Sequence, residues 1–363
     1  MFKKFLLLSL SLIFGFILAE FLCFKWSKNV SYFENKENYL NYSNYHNKLH
    51  HIRELKFQKN FIYSLMSQDN INEQHKTLLL NGDSWAENIL LMKNQNRMDN
   101  LINKFANKYN LKIYNSGTTS YSFSPMTLQL EILRQNFNIN PNIIVSIIDQ
   151  TDIGDEICRY KNRVIINKQN KILRINPENK ILKEAYNLSE FIDLHKVLYS
   201  KDLNLLKIFK YKFIKRKYEN LKNTQKINIR CKWKDIAKPL NEGLSDNDKI
   251  YIENVFIRYL NEVFMLNSLE KLVLVFHPHR NHILQKYNYF YFDMFKEIVE
   301  KSNFKRDVII IDFRDNFKNT YGKENFELND IFLHDDISSH LTEEARLLFF
   351  KTILDQISKK IKL

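Results

Sequence analysis

Glycine and proline are scarce in this chain of 363 residues, at 6 and 5. Collagen-like and low-complexity chains need far more of both, so the bulk of the chain reads as a globular body. Cysteine is almost as rare: only Cys23, Cys158 and Cys231 occur. No Cys-x-x-Cys pair and no Cys/His finger spacing is present, which leaves a zinc finger without ligands. Cys158 and Cys231 remain free to pair in an oxidising compartment. No internal repeat is visible. No glycine-rich phosphate loop follows the first apolar run, which argues against a nucleotide-binding flavodoxin-like protein.

What the chain has in excess is positive charge, +14 net. Lys207, Lys210, Lys212, Lys215, Arg216, Lys217, Lys222 and Lys226 crowd one segment. An anionic membrane surface, an acidic polymer or nucleic acid would each suit such a patch. So would plain solvation of a helix face beside the apolar stripe of Leu206, Phe209 and Phe213. No nucleic-acid motif accompanies the patch, so nucleic acid is not expected as a partner.

One long apolar run exists. Lys3 and Lys4 precede a stretch that stays apolar to Phe24, with Glu20 its only charge. Twenty helical residues span about 30 Å, one hydrocarbon core. Residues 1–24 therefore read as a membrane anchor or a signal sequence. Cleavage after Ala19 would put Ile17 where a small residue is preferred. A retained anchor is favoured, with Lys3 and Lys4 in the cytoplasm and the body facing the periplasm or cell exterior. Cys23 follows Glu20-Phe21-Leu22, which lacks the small residue of a lipoprotein site.

Residues 25–75 are polar and aromatic and read as a tether with one helix over 46–66. From residue 76 the pattern becomes regular. Short β-branched or leucine-rich runs at 77–80, 111–114, 143–148, 272–276 and 308–311 suit buried parallel strands. Helical patterns lie at 84–92, 98–109, 125–137, 250–269, 284–301 and 342–359. Such alternation implies an α/β fold: a five-stranded parallel sheet of flavodoxin-like, doubly wound order between two helical layers. Residues 160–249 interrupt it as an insertion that opens with a hairpin (164–167 against 172–175). Its place after a strand makes it a candidate lid or substrate contact.

Polar clusters fall where open α/β sheets place ligands, at strand carboxyl ends. The first is Gly82-Asp83-Ser84, between an apolar strand and a helix. A serine there lies beside the N–H groups of the helix start, which suits a nucleophile whose oxyanion needs donors. The second is Asn115-Ser116-Gly117-Thr118, with Ser122-Phe123-Ser124-Pro125 beyond it. The third is Asp149-Gln150-Thr151-Asp152. The last, Asp335-Asp336-Ile337-Ser338-Ser339-His340-Leu341-Thr342, precedes the final helix.

With these four blocks in order, the chain resembles the SGNH/GDSL hydrolase superfamily over roughly residues 76–358. The resemblance implies Ser84 as nucleophile and His340 as the base that takes its proton. It implies an oxyanion hole from Ser84, Gly117 and Thr151. Thr151 stands where that family usually has asparagine; a hydroxyl donates one hydrogen bond, with a shorter reach. The family's acid usually lies three residues before the histidine, where this chain has Ile337, so the expectation passes to Asp336. Asp83, Asp152, His279 and Arg280 are candidate substrate contacts. His277, His279 and His282 lack a nearby carboxylate in sequence and do not suggest a metal. No metal and no cofactor is expected.

The function implied is a serine esterase working through a Ser84 acyl-enzyme, on an acylated small molecule or an O-acyl group of an envelope glycan. An O-acyltransferase would use the same residues. A non-catalytic binding or assembly protein of the same fold is the alternative from another class.

Overall fold

The structure is a computed structural model describing residues 2–30, 36–49, 62–67, 75–90, 95–176, 195–224, 244–284, 289–322, 327–333 and 340–361. In chain order the main elements are α1 (Phe2–Val30), α2 (Lys36–Leu49), β1 (Ser64–Leu65), β2 (Lys76–Gly82), α3 (Ser84–Glu87), α4 (Gln95–Tyr109), β3 (Leu111–Asn115), α5 (Phe123–Phe137) and β4 (Ile143–Ile148). There follow α6 (Gln150–Asp155), β5 (Val164–Ile166), β6 (Ile172–Ile175), α7 (Asn204–Thr224), α8 (Asp246–Phe264), β7 (Lys271–Phe276), α9 (Phe290–Lys301), β8 (Val308–Asp312), α10 (Phe313–Tyr321) and α11 (Glu343–Lys360). The chain divides into two compact units, residues 1–55 with 176–229, and residues 56–175 with 230–363.

The second unit is built on one sheet with strand order β1-β3-β2-β4-β7-β8. The five expected strands run parallel through β3, β2, β4, β7 and β8. The expected count of five is corrected to six: Ser64 and Leu65 add a short antiparallel edge against Asn115 and Tyr114. Of the helix expected over 46–66, residues 46–49 fall in α2 and 64–65 are strand; residues 50–61 lie outside the described residues. Two residues are too few to show an alternating pattern, so β1 had no sequence signal.

β4 explains why the sheet is a central layer. All six of its residues are buried, as an apolar strand covered on both faces must be. Ile143, Val145 and Ile147 join a core with Met98 and Ile102 of α4 and Phe349 and Ile353 of α11. Ser146, pointing the other way, meets the Tyr259 hydroxyl of α8 at 2.5 Å. On that second face Phe123 of α5, Phe256 of α8 and Phe295 of α9 pack ring on ring, with centroids 4.6–5.2 Å apart. The expected α/β/α layering is therefore present in this unit.

The chain steps from β2 outward to β3, then back across β2 to β4. The direction of winding reverses there, so the carboxyl ends of β2 and β4 flank a topological switch point, where such sheets open a crevice. Among the described residues, the pattern over 284–301 forms a helix at α9, after a separate turn at Arg280–Ile283; residues 285–288 lie outside them. α10 and the helical turn Leu328–Ile331 were not foreseen.

The insertion is split. Its hairpin forms as expected, Val164 opposite Ile175, within the sheet unit. Residues 176–229 belong instead to the unit of the N-terminal helices. In that unit α1 is long and apolar enough to cross a membrane, and its apolar stretch is not buried. α7 lies along it, with Trp26 edge-on to Tyr211 at 5.3 Å. Glu20, the one charge of the apolar run, accepts the Asn204 N–H at 2.7 Å and the Leu205 N–H at 3.4 Å. A carboxylate at a helix start satisfies orphan donors and favours the helix dipole. Glu20→Ala should therefore raise hydrogen exchange at the Asn204 and Leu205 amides about fivefold, the equivalent of about 1 kcal/mol of capping, with the β4 amides as unchanged reference.

Candidate active site

β2 delivers the first residues of the site through a turn only glycine fits. Gly82 has φ +150°, and a Cβ there would stand 2.8 Å from the Ile147 carbonyl oxygen of β4. Asp83 then caps α3, its Oδ1 accepting the Trp85 N–H at 2.8 Å. Ser84 is the first residue of that helix and is buried.

His340 reaches Ser84 from 256 positions downstream, with Nε2 2.7 Å from Ser84 Oγ. Its segment is clamped by a short antiparallel bridge: Leu333 N–H donates to the His340 carbonyl and Thr342 N–H to that of Ile331, both at 2.8 Å. Thr342 caps α11. Arg346 of α11 then ties both halves together, donating to the Asn88 and Leu341 carbonyls, both at 2.9 Å. Nothing in sequence marked Arg346, since its partners are backbone carbonyls. Asp336, the expected acid, lies outside the described residues.

The loop after β3 packs against the back of α3. Gly117 sits so close that a Cβ would lie 2.4 Å from Ala86 Cβ and 2.5 Å from Glu87 N. Its N–H donates to Asn115 Oδ1 at 2.7 Å. Ser122 and Ser124 turn to Glu156, a buried carboxylate that also accepts from Ser124 N–H and Tyr251 OH, both at 3.0 Å. The Ser-x-Ser-Pro motif thus builds the loop rather than facing Ser84.

The loop after β4 brings an acidic cluster behind the serine. Thr151 Oγ1 lies 2.6 Å from Asp149 Oδ1 and 3.2 Å from Asp83 Oδ2, and the Thr151 N–H also goes to Asp149, at 2.5 Å. Asp152 Oδ2 accepts the Asp149 N–H at 2.9 Å. Carboxylate oxygens of Asp83, Asp149 and Asp152 fall within 4.8 Å of one another, all three residues buried. Of the donors expected for an oxyanion, the Gly117 amide and the Thr151 hydroxyl therefore serve Asn115 and Asp149 here.

His279 is not at a solvent-exposed mouth. It is 2% exposed, with Nε2 3.3 Å from Asp149 Oδ2 and its ring stacked on Trp85. Arg280 is directed to Asn329 Oδ1 at 2.7 Å. His277 and His282 bond the hydroxyls of Tyr321 and Tyr291 at 3.0 and 2.7 Å, so the three histidines serve three separate partners. Cys158 is disulfide-bonded and Cys23 is free; Cys231 lies outside the described residues.

Burial sets the electrostatics. Asp83 and Asp152 are held well above the usual carboxylate range by desolvation and then by neighbouring carboxylates. Asp155 is pushed up to about 7 by burial, against the pull of Arg159. Burial pushes Asp149 up as well, but the His279 contact and charge and the Thr151 donors outweigh it and leave it below its ordinary value. Burial also drops His277 to about 3, which keeps it neutral.

No family profile and no curated protein matches the sequence. Among solved structures, a catalytic mutant of Axe2, an acetylxylan esterase from Geobacillus stearothermophilus, is 9% identical, with TM-score 0.39 over 78% of this chain and 94% of that one. LAE5, an alpha/beta hydrolase enzyme from the metagenome of Lake Arreo, is 7% identical, with TM-score 0.36 over 78% and 95%. Est2A, an acetyl xylan esterase from the rumen bacterium Butyrivibrio proteoclasticus, is 8% identical, with TM-score 0.36 over 80% and 65%. The chemistry proposed below rests on the side chains of this chain alone.

Two outcomes follow from the packing and the buried charge. Gly117→Ala forces a methyl into Ala86 and should lower stability by about 1–3 kcal/mol, read from denaturant unfolding. Asp155 binds its proton more tightly folded than unfolded, where its value is about 4. Between that value and about 7, only the folded chain keeps the proton, so stability falls as pH rises through this window. Asp83 and Asp152, both raised, act in the same sense. Melting temperature should drop from about pH 5 to about pH 8, and Asp155→Asn should flatten that dependence.

Proposed function

We propose that this chain is a serine ester hydrolase of the SGNH type, with Ser84 as nucleophile and His340 as general base. The single observation behind this reading is the 2.7 Å approach of Ser84 Oγ to His340 Nε2, at the carboxyl edge of β2 beside the switch point. A serine hydroxyl is a weak nucleophile until a base within hydrogen-bond reach takes its proton.

In the proposed reaction, His340 Nε2 takes the Ser84 proton as Oγ attacks the ester carbonyl. The carbonyl electrons move to oxygen, and the tetrahedral oxyanion is stabilised by N–H donors at the start of α3. Collapse expels the alcohol, which takes the proton back from His340. Water, activated by the same histidine, then releases the acid. A sugar hydroxyl in place of water would give transfer instead, with the same residues. The acid behind His340 is assigned to Asp336. The amide of Ser84 is the first oxyanion donor; Gly117 and Thr151 would join it only by releasing Asn115 and Asp149.

The substrate class proposed is an O-acyl group on an envelope polysaccharide. The support is location: α1 suits an anchor, and Lys3 and Lys4 before it would stay cytoplasmic, which leaves the catalytic unit in the periplasm or outside the cell. The basic residues of α7 would suit an acidic polymer.

Ser84→Ala and His340→Ala should each lower kcat on a chromogenic acetyl ester by about 10⁴-fold or more. Ser84→Ala should also abolish labelling by a fluorophosphonate. Labelling of the alanine variant at the wild-type rate would sink the assignment.

A further inference from the structure

Asp83 Oδ2 stands 3.2 Å from Ser84 Oγ and 3.2 Å from Thr151 Oγ1. Each hydroxyl has one hydrogen to give. In the tautomer that lets His340 act as a base, its Nε2 accepts, so the Ser84 hydrogen lies on the 2.7 Å line to His340. The Thr151 hydrogen has a shorter path to Asp149 Oδ1, at 2.6 Å. Both oxygens facing Asp83 Oδ2 are then lone pairs. Three oxygens in contact without a hydrogen would repel; one hydrogen on Asp83, shared between the two neighbours, satisfies all three.

We propose that Asp83 is a catalytic residue that works as a neutral carboxylic acid, donating its hydrogen bond to Ser84 Oγ and Thr151 Oγ1. The proposal rests on Ser84 being the nucleophile. Charge counting agrees with the hydrogen count. The groups facing Asp83 are Asp149, Asp152 and Asp155 from the loop and helix after β4, His279 through Asp149, and His340 through Ser84. His279 is set against Asp149, not Asp83, and among the described residues no cation touches Asp83. Carboxylates this close and this buried do not all ionise; Asp149, with His279 and two Thr151 donors, is the one held below its ordinary value. Burial and the Asp149 charge hold Asp83 in the neutral direction.

The acid has a defined task. As the Ser84 proton moves to His340 Nε2 and Oγ bonds to the carbonyl carbon, negative charge gathers on Oγ and then on the carbonyl oxygen. When the acyl-enzyme breaks down, Oγ leaves and gathers charge again. A donor beside Oγ stabilises both moments, and the proton stays on Asp83 throughout. An ionised Asp83 would instead set a full negative charge against the same atom.

The test is the rate of fluorophosphonate labelling against pH, for wild type, Asp83→Asn, Asp83→Ala and Ser84→Ala. Asn keeps the cap through its Oδ1 and donates permanently through Nδ2, so Asp83→Asn should label within about tenfold of wild type. Asp83→Ala should lose about 10²-fold, the usual effect of one donor. Wild-type labelling should fall at high pH as Asp83 loses its proton; the falling limb should vanish in Asp83→Asn. A falling limb kept in Asp83→Asn, or Asp83→Asn as slow as Asp83→Ala, overturns the proposal while leaving Ser84 as nucleophile. Labelling of Ser84→Ala at the wild-type rate, or no labelling of any protein, overturns both readings. One divalent ion per wild-type chain by elemental analysis, lost in Asp83→Asn, would show a cation where the proton is placed and overturns it too.

Discussion

The close pass of β2 over β4 at Gly82 governs the site. The missing Cβ lets the turn sit on the Ile147 carbonyl, and that contact puts Asp83 within reach of the β4 loop. Widen it by one methyl and three things shift together. The cap on α3 moves, the Asp83–Thr151 contact opens, and Ser84 swings relative to a histidine held by a different element. The second glycine works on the same helix from the other side: Gly117 lets the β3 loop rest on Ala86 and Glu87. α3 is only four residues long and has little stability of its own. Its position is imposed by the two loops that clasp it.

Behind the clasp lies a concentration of buried carboxyls that is unfavourable for stability. Burying an ionised carboxylate without a partner costs several kcal/mol. Asp149 offsets this with His279 and Thr151, Asp152 with the Asp149 backbone N–H, and Asp155 with Arg159, whose Nε is 2.6 Å away. Among the described residues, Asp83 has a backbone N–H and two hydroxyl oxygens. The tension explains why His279 is drawn inside rather than left at the surface. It also explains why Thr151 faces inward: its hydroxyl is needed by a carboxylate before it is available to a substrate. An asparagine there would carry two hydrogens on one nitrogen; threonine carries one.

The parallel strands and most helices were legible because a buried parallel strand is a continuous apolar run, and a run such as Ile143-Ile144-Val145 reads the same from the sequence as in the fold. Ser84 and His340 were singled out by the order of the four polar blocks, and the fold brings their side chains within 2.7 Å. What was not legible depends on partners far apart in sequence. β1 is two residues long and gains its place only from the edge of β3. Arg346 looks like any helix-surface arginine until the Asn88 and Leu341 carbonyls are brought to it. The pairing of His279 with Asp149 was hidden because the two are 130 positions apart. The split of the insertion was equally hidden: nothing in residues 204–224 names Glu20 as their cap.

Glu20 and Asp83 show one chemical group used in opposite ways. Both are carboxyls at the start of a helix, accepting backbone N–H groups. Glu20 meets only donors, the amides of Asn204 and Leu205, so its charge is favourable to α7 and has no rival. Asp83 spends one oxygen on the same task at Trp85, and its other oxygen faces two hydroxyls whose hydrogens are better placed elsewhere. The capping role is satisfied by either protonation state at Oδ1, because that oxygen only accepts. The neighbours of Oδ2 therefore decide the charge, and Thr151 is the neighbour that stands where the SGNH/GDSL pattern, which the sequence resembles, has asparagine. A threonine that donates to Asp149 leaves a lone pair toward Asp83, which an amide nitrogen in its place would not. The threonine at the third block and the proposed protonation of Asp83 are then two sides of one arrangement, in which the donor that an amide would have offered at Thr151 returns at the residue beside Ser84.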